Sequence, residues 1–152
     1  MILAFVMIAQ GCAGNKGKND RAEMLKNMVT TSLYEGFELK HDQTALITPE
    51  SLYVRFINVV EDSRCPVGVN CIWAGQAVIE LVVSFEGEEP ELITLTSQAG
   101  KDDLAVKQLE GYLFRLVKVE PPKKKDAEIE LEDYKVTLTV SPIKENTGQS
   151  SQ

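Results

Sequence analysis

Three cysteines and one histidine are the residues of this 152-residue chain best suited to chemistry. The cysteines are Cys12, Cys65 and Cys71. An odd count in an exported protein leaves one cysteine with a separate task, and their placement divides them. Cys12 follows an apolar run, whereas Cys65 and Cys71 stand six apart with Pro66 and Gly68 between them. A zinc site would need more ligands, yet His41 is the only histidine and lies far from the pair. A redox pair would be Cys-x-x-Cys, and five intervening residues are too many for that motif. Cys65 and Cys71 therefore read as a structural disulfide, with no metal and no cofactor.

Catalysis finds little support. A Ser/His/Asp site would have to use His41, which sits in a turn beside Asp42, and the chain has no Gly-x-Ser-x-Gly elbow. Glu86, Glu88, Glu89, Glu128, Glu130, Glu132 and Asp133 fall in polar stretches that read as solvated loops. No phosphate-binding glycine loop or metal motif is present. The chain is expected not to be an enzyme. Its net charge of −7 argues against nucleic-acid binding. The one basic run, Lys123-Lys124-Lys125, lies between a Pro-Pro pair and an acidic stretch and reads as a solvated loop.

Cys12 is explained by what precedes it. Ile2 to Ala9 is apolar and uncharged. It is far shorter than the roughly 20 residues of a bilayer-spanning helix, but it has the length of a signal-peptide apolar region. Ala9-Gln10-Gly11-Cys12 then looks like a lipobox, in which the cysteine thiol is acylated and becomes residue one after cleavage. Ala9 stands where leucine is usual, Gln10 is a less common neighbour, and no Lys or Arg precedes the apolar run. The last departure suggests a start a few residues upstream. The expectation is a signal peptide over 1–11 and a protein anchored in the membrane through lipidated Cys12. One acyl chain holds a protein only marginally, whereas a lipoprotein cysteine carries several. Ala13, with no aspartate after the cysteine, leans toward the outer membrane, facing the periplasm or the surface.

Residues 12–33 read as a tether. The first part is rich in Gly, Asn and Lys, and Met24, Leu25, Met28 and Val29 recur at the spacing of a short helix. From Tyr34 the period is near two. Phe37–His41, Gln43–Ile47, Ser51–Val60, Ile72–Phe85, Leu92–Thr96, Tyr112–Val119 and Tyr134–Val140 are apolar or alternating runs bounded by turn residues. Asp102 to Leu109 fits a helical turn or an irregular crossing. The expected fold is all-β, a single antiparallel β-sandwich or barrel over residues 34–143, followed by a polar, disordered tail over 144–152.

Glu61 to Gly75, EDSRCPVGVNCIWAG, is the most informative stretch. The lipobox implies an oxidising compartment, where such a cysteine pair closes. The bond would staple the Leu52–Val60 strand to the Ile72–Phe85 strand and make them hairpin neighbours. Asp62 is suited to capping the turn through backbone N–H groups. Arg64 either pairs with Asp62 or Glu61 or projects from the loop. Trp73 is expected to pack over the disulfide or in the core, with a ligand platform as the other reading. EDSRCP, a short gap, CIWAG and a long strand together resemble a group of small bacterial exported proteins, many with lipoprotein signals. The resemblance covers about residues 37–140 and is specific from Asp62 to Gly75. It implies a single β domain with a disulfide and carries over no catalytic residues.

Two functions follow as expectations. One is an envelope interaction or structural module, contacting a protein or glycan through its loops, with Arg64, Pro66, Val67, Asn70 and Trp73 as the interaction loop. The other is a protease inhibitor presenting the disulfide-braced loop 64–70, since a rigid loop loses little entropy on docking.

Overall fold

A computed structural model describes residues 27–143. Cys12, the signal segment and the polar tail lie outside them. Among the described residues no helix is long and apolar enough to cross a membrane.

Among the described residues nine strands form in chain order: β1 Met28–Ser32, β2 Gly36–Lys40, β3 Thr44–Thr48, β4 Leu52–Asp62, β5 Gln76–Phe85, β6 Glu91–Gln98, β7 Val106–Leu109, β8 Tyr112–Glu120 and β9 Lys135–Pro142. One sheet has the order β1-β3-β4-β5-β6 and the other β2-β9-β8-β7. Their inner faces bury one core, so the fold is a sandwich.

Alternation explains which face goes inside. Leu52, Val54 and Phe56 of β4 are buried, while Tyr53 and Ile57 are half-buried and Arg55 is exposed on the other side. Ala77, Ile79, Leu81 and Val83 of the neighbouring β5 are buried beside them, with Val83 paired to Val54 and Leu81 to Phe56. In the second sheet Val136 and Leu138 of β9 meet Leu39 and Phe37 of β2 in register, and Val140 meets Phe114 of β8. Two β-bulges reset the phase of β4 beyond Phe56, and one resets β8 between Leu116 and Lys118. The β8 bulge buries Val119 and turns Val117 out to solvent, as an extra residue in a period-two strand must.

Several expectations are corrected. The helical spacing ending at Met28 and Val29 does not give a helix there, because both residues lie in β1. Met24 and Leu25 lie outside the described residues. β1 pairs with β3 in parallel, Met28 opposite Thr44 and Ser32 opposite Thr48. The β domain therefore starts before Tyr34, and one strand pair is not antiparallel. Ile72 and Trp73 belong to no strand, since β5 begins only at Gln76. Asp102 to Ala105 is a pair of turns, and Val106–Leu109 is a strand. The hairpin relation of β4 and β5 holds, with Asp62 opposite Ala77.

The strand directions assign elements to the two ends of the sandwich. Asp62 at the end of β4, Gln76 at the start of β5, Glu120 at the end of β8 and Lys135 at the start of β9 share one end. β1 runs parallel to β3 and antiparallel to β4, so its first residue points to that same end. The turns Glu86–Pro90 and Glu110–Gly111 lie at the other.

Candidate interaction site

The segment between β4 and β5 continues the hairpin and then leaves it. The Ser63 amide donates to the Gln76 carbonyl at 2.8 Å, and the Cys65 amide to the Ala74 carbonyl at 3.1 Å. Beyond that rung the chain bulges into a loop, closed by the Cys65–Cys71 disulfide with its Cα atoms 6.0 Å apart. Inside it the Val69 amide donates to the Pro66 carbonyl at 3.1 Å, and Gly68 takes φ +77° in that turn. The disulfide thus ties the loop to itself rather than one strand to the other.

Gly75 sets how closely the loop's two legs approach. Its φ is +67°, and a Cβ there would fall on the Ser63 carbonyl oxygen and 2.6 Å from its carbonyl carbon. Only glycine fits this backbone at this separation.

The loop is anchored to the opposite sheet through Asp62 and Arg64. Asp62 Oδ1 accepts from the Arg64 amide at 3.2 Å and from Arg64 Nε at 2.8 Å. Asp62 Oδ2 accepts from Arg64 Nη2 at 2.7 Å and from the Tyr134 hydroxyl at 2.9 Å. Arg64 also donates to the Val119 carbonyl at 2.7 Å and the Pro121 carbonyl at 2.9 Å, at the end of β8. Lys123 Nζ donates to the Asp62 carbonyl at 2.6 Å, while its own carbonyl accepts from the Val67 amide at 2.9 Å. A fork-to-fork Arg–carboxylate pair holds both orientation and distance.

Burial pushes the Asp62 carboxyl up, but hydrogen bonds from Arg64 and Tyr134 and the Arg64 charge outweigh it, so its pKa lies below the ordinary carboxylate value. The Asp62 hydrogen bond holds the Arg64 guanidinium charged, raising its pKa against burial. Burial and the Asp62 carboxylate push the Tyr134 hydroxyl up to about 12. With both oxygens engaged, Asp62 works as an anchor rather than as a free base.

Of the interaction-loop residues proposed from sequence, Val67, Asn70 and Trp73 are exposed and Pro66 is half-buried. Arg64 is the exception. It follows the pairing reading, and only 18% of its side chain is accessible. This side chain is held by Asp62 and the β8 end and does not project from the loop. Trp73 corrects the core-packing expectation, being 83% exposed. Ile72 is 93% exposed, Val67 67% and Val69 39%. Lys123 is a strut as well as part of a loop, and Lys124 and Lys125 are exposed beside it.

Sequence reasoning missed Tyr134 and the outward turn of Ile72 and Trp73. Tyr134 read as one more inward residue of a strand, and nothing local marks its hydroxyl as Asp62's partner. The glycine at 75 was the available signal that β5 starts late. His41 Nε2 lies 3.2 Å from the Ile57 carbonyl oxygen, and its ring stands edge-on to Phe56. Among the described residues no group of three or more His, Cys, Asp or Glu is placed to hold a metal ion.

The fold and this site define a two-sheet β-sandwich with a disulfide-closed loop clamped across one end. No family model, curated protein or solved structure matches the chain.

The disulfide is one of several restraints on the loop, so its removal is expected to loosen the tip without unfolding the domain. Replacing Cys65 and Cys71 together by serine should lower stability by about 2 kcal/mol, the loop-closure entropy of so short a ring. Urea unfolding should show an earlier midpoint with an unchanged slope. Loss of the cooperative transition would show that the loop is needed for folding itself.

Proposed function

We propose that this chain is a lipid-anchored protein of the bacterial cell envelope whose sandwich serves as a non-catalytic interaction module through the Cys65–Cys71 loop. One observation carries the reading. The loop is restrained by the disulfide, the Asp62–Arg64 pair and the Lys123 contacts, yet it holds Val67, Ile72 and Trp73 in solvent. Restraint without burial of the apolar side chains is what a preorganised contact surface requires, because little freedom remains to be lost on docking. Isolated exposed apolar residues are ordinary, but several large ones on one short loop mark an interaction site. The Ala9-Gln10-Gly11-Cys12 sequence supplies the anchor, and an oxidised cysteine pair suits the same compartment.

The test has two parts. The mature native protein should begin at an acylated Cys12 by mass spectrometry. An unmodified Met1 or a free Cys12 thiol would end the lipoprotein reading. In intact cells, a photocrosslinking residue at Val67 should capture an envelope component, protein or lipid, that the same residue at Glu88, at the other end of the sandwich, does not. Equal products from both positions would sink the assignment of the contact to this loop.

A further inference from the structure

We infer that the tip of the Cys65–Cys71 loop dips into the interfacial zone of the phospholipid bilayer that anchors the chain. This inference deepens the tethered-module reading of the same loop and rests on it. The argument begins with where the chain enters the fold. β1 runs parallel to β3, and its first residue, Met28, lies opposite Thr44, which in turn lies opposite Arg55 of β4. Met28 therefore stands at the end of β1 that points the way β4 runs on to Asp62. The Asn27 carbonyl accepts from the Thr44 amide at 3.2 Å, next to the turn that bonds to Tyr134, Asp62's partner. Anchor side and cysteine loop belong to the same end of the sandwich.

Chain length allows contact. Sixteen residues separate Met28 from Cys12, a contour of at most about 55 Å. β4 continues seven residues from Arg55 to Asp62, a rise of about 23 Å. The chain can climb past the end of β4 and still reach Cys12 with contour to spare. A lipidated Cys12 would thus hold the domain with this end toward the membrane.

The chemistry of the tip fits that surface. Trp73, Ile72, Val67 and Val69 are exposed together on one ten-residue loop, Cys65 to Ala74. Tryptophan prefers the headgroup level of a bilayer, where its apolar ring and N–H are both accommodated. Exposed Lys124 and Lys125 adjoin the loop, but Asp126 and Glu128 follow directly and the chain carries a net charge of −7. Attraction to anionic headgroups is therefore not the driving force. Apolar insertion is, and it should be insensitive to salt.

Trp73 is the chain's single tryptophan, so its fluorescence reports this loop alone. The full chain is reconstituted into phosphatidylcholine vesicles containing lipids brominated along the acyl chain, both with Cys12 intact and as Cys12→Ser. The expected result with the acylated protein is a shift of Trp73 emission to shorter wavelength and quenching strongest with shallow bromines, unchanged by high salt. Val67→Asp with Ile72→Asp should keep the melting temperature and weaken the insertion equilibrium by about tenfold or more, given the transfer cost of the two side chains. An acylated protein whose Trp73 keeps its aqueous emission and escapes quenching overturns the inference while leaving the lipoprotein reading intact. Emission that shifts only when native envelope proteins are added also overturns it, in favour of a protein partner. Equal quenching of Trp73 in Cys12→Ser would show that the tip enters the bilayer without the anchor, and would overturn the argument that the anchor presents this end to the membrane.

Discussion

Gly75→Ala is expected to cost more than any other single change on the surface of the cysteine loop: at least about 3 kcal/mol, a large share of the 5–15 kcal/mol that holds a domain of this size. Two penalties add. A non-glycine residue at φ +67° costs about 1–2 kcal/mol from its Cβ alone. The new methyl would also overlap the Ser63 carbonyl, which is backbone and has no side-chain freedom to yield. Relief requires the two legs to separate, and separation breaks the Ser63-to-Gln76 and Cys65-to-Ala74 hydrogen bonds. Thermal unfolding should begin some 10 °C or more earlier. Gly68→Ala is the control. Gly68 has φ +77° with nothing within 4 Å of an added Cβ, so it should show the conformational cost alone, about 1–2 kcal/mol. If both variants lose the same stability, close approach of the legs is not what the glycine at 75 provides.

What the sequence discloses depends on how local the cause is. Period-two burial is local, and Tyr134, Val136, Leu138 and Val140 against Lys135, Thr137 and Thr139 could be assigned to inner and outer faces before any coordinates. The disulfide was equally legible, because two nearby cysteines with no further ligand beside them have few other uses. The early strand β1 was not. Met28 and Val29 meet a helical spacing only if counted with Met24 and Leu25, and their pairing with Thr44 and Ala45 depends on residues farther along the chain. Trp73 failed for a different reason. Large aromatic residues usually bury, and the alternation of β5 invites counting back through Ile72. Gly75, at positive φ, interrupts that count and turns both residues away from the sheet. The site is thus half legible: its bond and its flanks can be read, but the direction in which its apolar residues point is decided by the clamp beneath it.

That clamp carries the second large effect. Asp62→Asn keeps the side chain's shape but removes the charge that Arg64 and Tyr134 address. The Asp62 side chain is 8% accessible and that of Arg64 18%, so solvent can compensate the stranded guanidinium only in part. Breaking one partner of such a pair is expected to cost about 2–4 kcal/mol. The Val119 and Pro121 carbonyls would retain Arg64 as partners, which keeps the figure below that of a fully buried pair. The dependence on pH identifies the cause. The folded-state pKa of Asp62 lies below its unfolded value, so its contribution is complete above about pH 4 and is lost as pH falls through the lower, folded value. Glu61 and Glu120 are lowered as well, by Ser63 and Lys118 respectively, but wild type and variant share them. The stability difference between the two proteins should therefore shrink as pH drops below about 4. At the alkaline end, Tyr134 ionises near 12, chiefly because of burial and then because of Asp62. With its folded value raised, its contribution is complete below about pH 10 and fades as pH climbs toward that higher value. In Asp62→Asn the Tyr134 ionisation, isolated by subtracting the absorbance titration of the matching Tyr134→Phe protein, should move down while staying above an exposed tyrosine's. A constant stability gap across the acid range together with an unmoved Tyr134 ionisation would mean that the clamp holds by shape alone, and that its charge contributes nothing to the rigidity of the loop above it.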